Sequence, residues 1–148
     1  MQGRRKSWNK LLVESGWTEE RAIDTQGFRE LHERFGCAYP DVLDSFFKSY
    51  GELQVRSHKE SPPWNLELDT TLEVIGQAVS SSLEQERWRA IEKEIGVSVY
   101  FVGIHHGVSF GRGDVFITSD SSFLVENDSV YDLGNDISNL IGGRGKAL

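Results

Sequence analysis

Histidines, carboxylates and a single thiol are the groups through which this chain could do chemistry, and their spacing limits that chemistry. His105 and His106 are adjacent at the end of an expected strand, so they project to opposite faces and do not readily share one metal ion. Further ligands would have to come from Asp114, His58 or Cys37, and no ligand spacing proposes them; neither a metal nor a cofactor is expected. Gly111-Arg112-Gly113-Asp114 is followed by strand rather than by a helix N-terminus, so it reads as a tight hairpin turn and not as a phosphate cradle. Asp120, Asp128, Asp132 and Asp136 lack the alternating loop and closing Glu of a calcium site. No G-x-S-x-G and no Cys/His nucleophile motif is present, and carboxylates in number do not by themselves designate an acid–base pair. Cys37 reads as a small buried apolar residue. As the only cysteine it cannot close an intramolecular disulfide, which suits a reducing compartment. No catalytic residue is assigned, and an enzyme is not expected.

Charge points toward a partner. The net charge is −7, and four of the sixteen basic residues fall within the first ten positions. From Asp114 to Asp136 there are six acids (Asp114, Asp120, Glu126, Asp128, Asp132, Asp136) and no Lys or Arg. Phosphate binding needs clustered Lys and Arg, so nucleic acid is not the expected partner. A basic protein would be steered to such a surface; the simpler role is a solvated face that keeps the protein soluble. No run reaches the roughly 18 apolar residues of a spanning helix, and Arg4, Arg5 and Lys6 are not followed by the apolar stretch of a secretory signal. No membrane association and a cytoplasmic location are expected.

These groups must be positioned by a fold, and 148 residues suffice for one domain with its own core. Met1 to Lys6 is expected to be a flexible basic lead-in, and residues 7–148 a single domain. Trp8, Leu11, Leu12 and Ser15 share a helical face in a short first helix that ends at Gly16. Gly16 supplies a left-handed cap over which Trp17 folds back, and Arg21 and Asp24 are expected to pair locally. A second helix, capped by Asp24 or Thr25, carries Phe28, Leu31, His32 and Phe35 at helical spacing. A third follows Tyr39-Pro40-Asp41 with Val42, Leu43, Phe46, Phe47 and Tyr50 as its apolar stripe, stopping at Gly51. Strands are expected at Leu53–Val55 and Trp64–Leu68, then a polar, serine-rich passage, then a helix over Leu83–Ile95. Beyond Val97 the texture is β-branched and aromatic. Turns are expected at His105-His106-Gly107, Gly111–Asp114, Ser119–Ser121 and Asn127–Ser129, with a last short helix from Asn135-Asp136. The class is α+β: N-terminal helices packed on a twisted, mostly antiparallel sheet.

One set of landmarks resembles a known family. The pattern L-L-x-x-x-G-W-x-x-x-R-x-x-D (Leu11, Leu12, Gly16, Trp17, Arg21, Asp24) is similar to the start of the third group of the SUKH superfamily of bacterial immunity proteins. Val42 to Leu53, with Tyr50-Gly51 before Glu52-Leu53, resembles its helix ending in G-x-L, and Val99–Gly103 resembles its central strand. Val130–Gly134 through Leu140–Gly143 resembles its closing segment. The chain departs from the pattern where Phe101-Val102 replaces a proline before Gly103. Gly16, Trp17, Arg21, Asp24, Gly51 and Gly103 are the structural signature under this resemblance.

The resemblance implies an α+β fold and a non-catalytic role: binding a cognate toxin domain, often a nuclease, of a polymorphic or contact-dependent toxin system. A nuclease carries a basic substrate cleft, so the acid-rich segment suits this partner. The expected toxin contacts are Asp114, Asp120, Glu126, Asp128 and Asp132, with Trp64, His105 and His106 as less charged ones. The alternative is a SUKH-type regulatory interaction module without a toxin partner. Oligomeric state is not read from the sequence.

Overall fold

The computed structural model describes residues 10–56, 67–107, 111–127, 129–142 and 146–147. Helix α1 (residues 10–14) precedes α2 (Gln26–Arg34), α3 (Asp41–Tyr50), β1 (Gln54–Arg56) and β2 (Glu67–Asp69). Helices α4 (Leu72–Val79) and α5 (Ser82–Ile95) lead to β3 (Val99–Gly107), β4 (Gly111–Thr118), β5 (Phe123–Asn127) and β6 (Ser129–Gly134). Helix α6 (Ile137–Gly142) and the two-residue β7 (Lys146–Ala147) follow. The strands form one sheet in chain order, β1 to β7, every neighbour antiparallel. The class is α+β, as expected.

Local chemistry explains the helix ends. Gly16 has φ +106°, the Gly16 N–H donates to Val13 O (3.0 Å), and the Trp17 N–H donates to Leu12 O (3.0 Å), the paired bonds of a Schellman cap. Trp17 thereby folds back and stacks on Tyr50 of α3, with ring centroids 5.9 Å apart and planes 6° from parallel. Arg21 does not pair with Asp24. Its Nη1 donates to Ser49 O (3.0 Å), while Asp24 Oδ1 accepts from the Gln26 N–H (2.9 Å) at the start of α2. The guanidinium is drawn to a helix end, where carbonyls lacking an intrahelical donor are the stronger acceptors.

The C-terminal turn of α3 is satisfied carbonyl by carbonyl. Phe47 O accepts from the Gly51 N–H, Lys48 O from the Ile23 N–H, Ser49 O from Arg21, and Tyr50 O from the Thr70 hydroxyl. Thr70 is fully buried and its hydroxyl also accepts from the Leu53 N–H (3.1 Å). The segment after α1, the end of α3 and the β2–α4 junction are thus one hydrogen-bonded knot.

Two elements were not expected from the sequence. The stretch after β2 begins as α4 rather than as polar coil, with Ile75, Ala78 and Val79 buried. Its β-branched residues and Gly76 are weak helix formers, and tertiary burial overrides them. Helix α5 then starts at Ser82, with the Ser81 hydroxyl accepting from the Glu84 N–H (3.2 Å), and ends at Gly96 in the left-handed conformation. The second unexpected element is β7, paired to Tyr131 and Asp132 of β6.

The sheet is longer in β3 and β4 than the turn signals implied. His105 and His106 lie inside β3, and Gly111 to Asp114 inside β4, so neither expected turn forms there; residues 108–110 lie outside the described residues. His105 is opposite Leu68 and Gly113, and ladder pairing outweighs the local turn propensity of glycine. Val115 to Thr118 are buried without a break, as are Phe123 to Val125, so both faces of the central strands are covered. Trp88 of α5 stacks on Phe101 (5.6 Å, 14°) and meets Phe116 edge-on, while Phe46 of α3 meets Phe123 edge-on. A bulge between Phe101 and Gly103 lets Gly103 pass the β2–α4 junction, where a Cβ would lie 2.3 Å from Asp69 O. Val99 to Phe101 pair with β4 alone, because β2 takes up only Ile104 to His106; that half of β3 is an open sheet edge.

Candidate functional site

The acid-rich segment occupies β4, β5, β6 and their turns. Asp114 and Glu126 are opposite in register, and Asp132 is opposite Leu124, two residues from Glu126, so these three acids share one face of the meander. Helix α5 lies on that face and places Arg87 among them. Arg87 Nη2 donates to Asp114 Oδ2 (2.8 Å) and to Glu126 Oε1, and Nη1 donates to both oxygens of Glu84 at 3.0 and 3.1 Å. Burial alone would lower the Arg87 pKa, but the hydrogen bond to Asp114 and the charges of Glu126, Asp114 and Glu84 raise it above its ordinary value. Three carboxylates around one guanidinium leave the cluster net negative. The side chains of Asp114 and Glu126 are 20% and 23% exposed, so they meet solvent as one network with Arg87 rather than as free handles.

The other acids are held locally. Asp132 Oδ1 accepts from the Gly134 N–H (2.8 Å). Asp120 sits in the exposed β4–β5 turn, accepts from the Thr118 hydroxyl, and is held below the usual carboxylate range chiefly by that bond. Asp128 and Trp64 lie outside the described residues. His106 is exposed and stands opposite Glu67 and Arg112. His105 is fully buried, which takes it off the contact surface on which it was expected; the strand alternation that separates it from His106 also turns it inward. Sequence reasoning missed Arg87. Its i,i+3 partner Glu84 was legible, but the two sheet acids come to it from 27 and 39 residues away.

The second feature is a cavity of about 310 Å³ at the open edge of β3, between α5 and the α2–α3 connection. Its lining includes His32, Cys37, Trp88, Arg89, Glu92 and Phe101. His32 Nδ1 lies 2.7 Å from Phe28 O; a carbonyl only accepts, so Nδ1 carries the proton. Burial pushes the His32 pKa down, against the opposing pull of that bond, so the ring is neutral at pH 7 and Nε2 is an acceptor. Burial pushes the Cys37 thiol up, with the Arg89 charge opposing. The Cys37 thiol leans on Phe35 O (3.9 Å), and its backbone N–H donates to His32 O (2.8 Å). A thiol is activated by a lowered pKa and a poised base, and burial works against the thiolate here. The chemistry this cavity is suited to is binding. Glu92 Oε2 accepts from the Val99 N–H (2.9 Å) and so anchors α5 to the strand edge.

Among the described residues no group of three His, Cys, Asp or Glu is placed to hold a metal ion, and no helix is long and apolar enough to cross a membrane. Gly16, Trp17, Arg21, Asp24, Gly51 and Gly103, expected as a structural signature, fall in the knot around α3 or at the β3 bulge. No family model, no curated protein and no solved structure matches the chain.

Proposed function

We propose that this protein is a cytoplasmic, non-catalytic immunity protein of SUKH type. It binds a cognate toxin domain one to one through the β4–β6 meander and so neutralises it. The observation that carries this reading is the placement of Asp114, Glu126 and Asp132 on a single face, each already hydrogen-bonded in a fixed position. Fixed acids lose little conformational freedom on binding and present a negative field to a basic cleft of the kind a nuclease carries. The acidic turn at Asp120 extends the same negative segment. Affinity would come mainly from a few desolvated contacts, with the charges setting partner choice and association rate.

The test is co-purification with the toxin domain encoded beside this gene, followed by rescue of cells that express that toxin. Asp120→Lys combined with Asp132→Lys spares the Arg87 cluster and should weaken binding, flatten its salt dependence and abolish rescue. Unchanged binding and salt dependence in that double variant would sink the reading of the surface; failure of the unaltered protein to bind or rescue would sink the immunity role itself.

A further inference from the structure

At its β1–β4 end the sheet has one face buried and the other open to solvent. Val55, Leu68 and His105 are buried side by side across three strands. Their neighbours along each strand turn outward: Gln54, Arg56 and His106 are exposed, and Glu67, Asp69 and Ile104 are half-buried. Such alternation marks an antiparallel sheet packed on one face only. Helix α5 covers the adjoining part of this face at Phe101 and Phe116, and its Arg87 reaches as far as Asp114.

Register sorts the open face into two rows. One runs through Gln54, Asp69, Ile104, Asp114 and Glu126, across β1 to β5. Its three acids are all held: Asp69 accepts from Gln54 Nε2 (3.1 Å) and the Thr71 hydroxyl (2.7 Å), and Arg87 donates to the other two. The second row lies two residues along each strand, roughly 7 Å away. It runs through Arg56, Glu67, His106 and Arg112. There Arg56 Nε pairs with Glu67 Oε2 (3.1 Å). Arg112 is exposed and has no ion pair among the described residues, and His106 stands directly opposite it. The acidic surface therefore ends at an unmatched cation. A partner that is basic throughout would be repelled at Arg112, and like charges set against each other across an interface select against the wrong partner.

We propose that the toxin interface extends onto this open face, where Arg112 donates to a carboxylate of the toxin. That carboxylate stands roughly 7 Å from the cation that Asp114 and Glu126 attract. The planar guanidinium fork suits a carboxylate with two parallel N–H bonds. Ile104, between Asp69 and Asp114 in the first row, supplies an apolar contact beside the charges. The role of Arg112 depends on the immunity reading and narrows its partner to a basic cleft edged by a carboxylate, as in nucleases whose acids hold a catalytic metal ion.

The experiment is calorimetric titration of the full-length protein with the toxin domain encoded beside its gene. Arg112→Ala should weaken binding by about tenfold and Arg112→Glu by about a hundredfold, with Arg112→Lys between the parent and Arg112→Ala because it keeps the charge and loses the fork. Each Asp or Glu bordering the toxin's cleft is then changed singly to Lys. One of these toxin variants should bind Arg112→Glu about tenfold more tightly than the unaltered toxin does, a recovery that a merely structural role for Arg112 would not give. Thermal unfolding confirms that each exposed-site variant is folded. Unchanged or tighter binding in Arg112→Ala overturns the role of Arg112 and leaves the immunity reading standing, as does the absence of any toxin variant that restores Arg112→Glu. Failure of the unaltered protein to bind the toxin overturns both.

Discussion

Arg87 on α5 and Asp114 on β4 stand 2.8 Å apart, 27 residues apart in sequence, and join helix to sheet on the face that carries the acidic segment. The Arg87 side chain is 45% exposed, so each of its ion pairs is screened and weak on its own. Its removal also leaves Glu84, Asp114 and Glu126 facing one another. Arg87→Ala is expected to cost about 1 kcal/mol at low ionic strength, after discounting for solvent, and less in high salt. Urea denaturation at two salt concentrations reads both the loss and its screening; equal losses at the two concentrations would mean that Arg87 acts through packing alone.

Trp17 stacks on Tyr50 but is only partly buried, and its indole N–H is buried without a partner. Trp17→Ala should lose about 2–4 kcal/mol, toward the lower side for a large aromatic because part of the ring is solvated. Trp17→Phe keeps the stack and removes the unsatisfied donor, so it should fall within about 1 kcal/mol of the parent. Thermal or urea unfolding of the two variants separates these effects. Equal destabilisation in both would show that the indole makes a contact that the stack does not account for.

Gly103 and Gly16 should respond differently to alanine. A Cβ at Gly103 would lie 2.3 Å from Asp69 O, a backbone atom that cannot move without shifting β2. At Gly16 nothing lies within 4 Å, and only the left-handed conformation resists a side chain. Gly103→Ala should therefore destabilise by roughly 2–3 kcal/mol or prevent folding, whereas Gly16→Ala should cost about 1 kcal/mol. Comparison of their urea midpoints is the measurement, and similar values would argue that β2 yields to the new methyl group.

Stability should decline on acidification in two steps. His32 has a folded pKa below its ordinary 6.5, because burial disfavours the charged ring. The unfolded chain therefore takes up that proton first. Its contribution is whole above about pH 6.5 and is lost as the pH falls toward the lowered folded value. For Asp44, burial would raise the pKa, but hydrogen bonds from Thr25 (2.6 Å) and Tyr39 (2.9 Å) and the nearby Lys48 hold it below 3.8. Its stabilisation persists above about pH 4 and is lost as the pH falls through the depressed folded value. His32→Phe should flatten the upper step and leave the lower one, and Tyr39→Phe should shift the lower step toward higher pH. Urea midpoints from pH 8 to pH 3 would reveal either pattern.

The parts of this molecule that were legible in the chain are those settled by near neighbours. Gly16 and Trp17 announce a Schellman cap whose two bonds span at most five residues, and the cap forms as read. The stripes of α2 and α3, the stop at Gly96, the turn at Asp120 and the α+β class follow from the same short-range rules of period and cap. Helix α4 was hidden because Val74, Ile75, Gly76 and Val79 are weak helix formers alone, and burial on the rest of the fold holds them.

The candidate site was legible as composition and illegible as geometry. The sequence alone determined that six acids would fall between Asp114 and Asp136 with no base among them. Only the tertiary structure decided that Arg87 would cross from α5 to reach two of them, that Arg21 would serve the end of α3 rather than Asp24, and that His105 would turn inward while His106 stayed out. The same holds for the cavity, whose lining from α2 and α5 comes together only when the two helices pack beside the open edge of β3. The physical reason is one of range. Dihedral preference, capping and periodicity act over a turn of chain, whereas a strand's register assigns every one of its side chains to a face at once and depends on partners that may be far along the sequence.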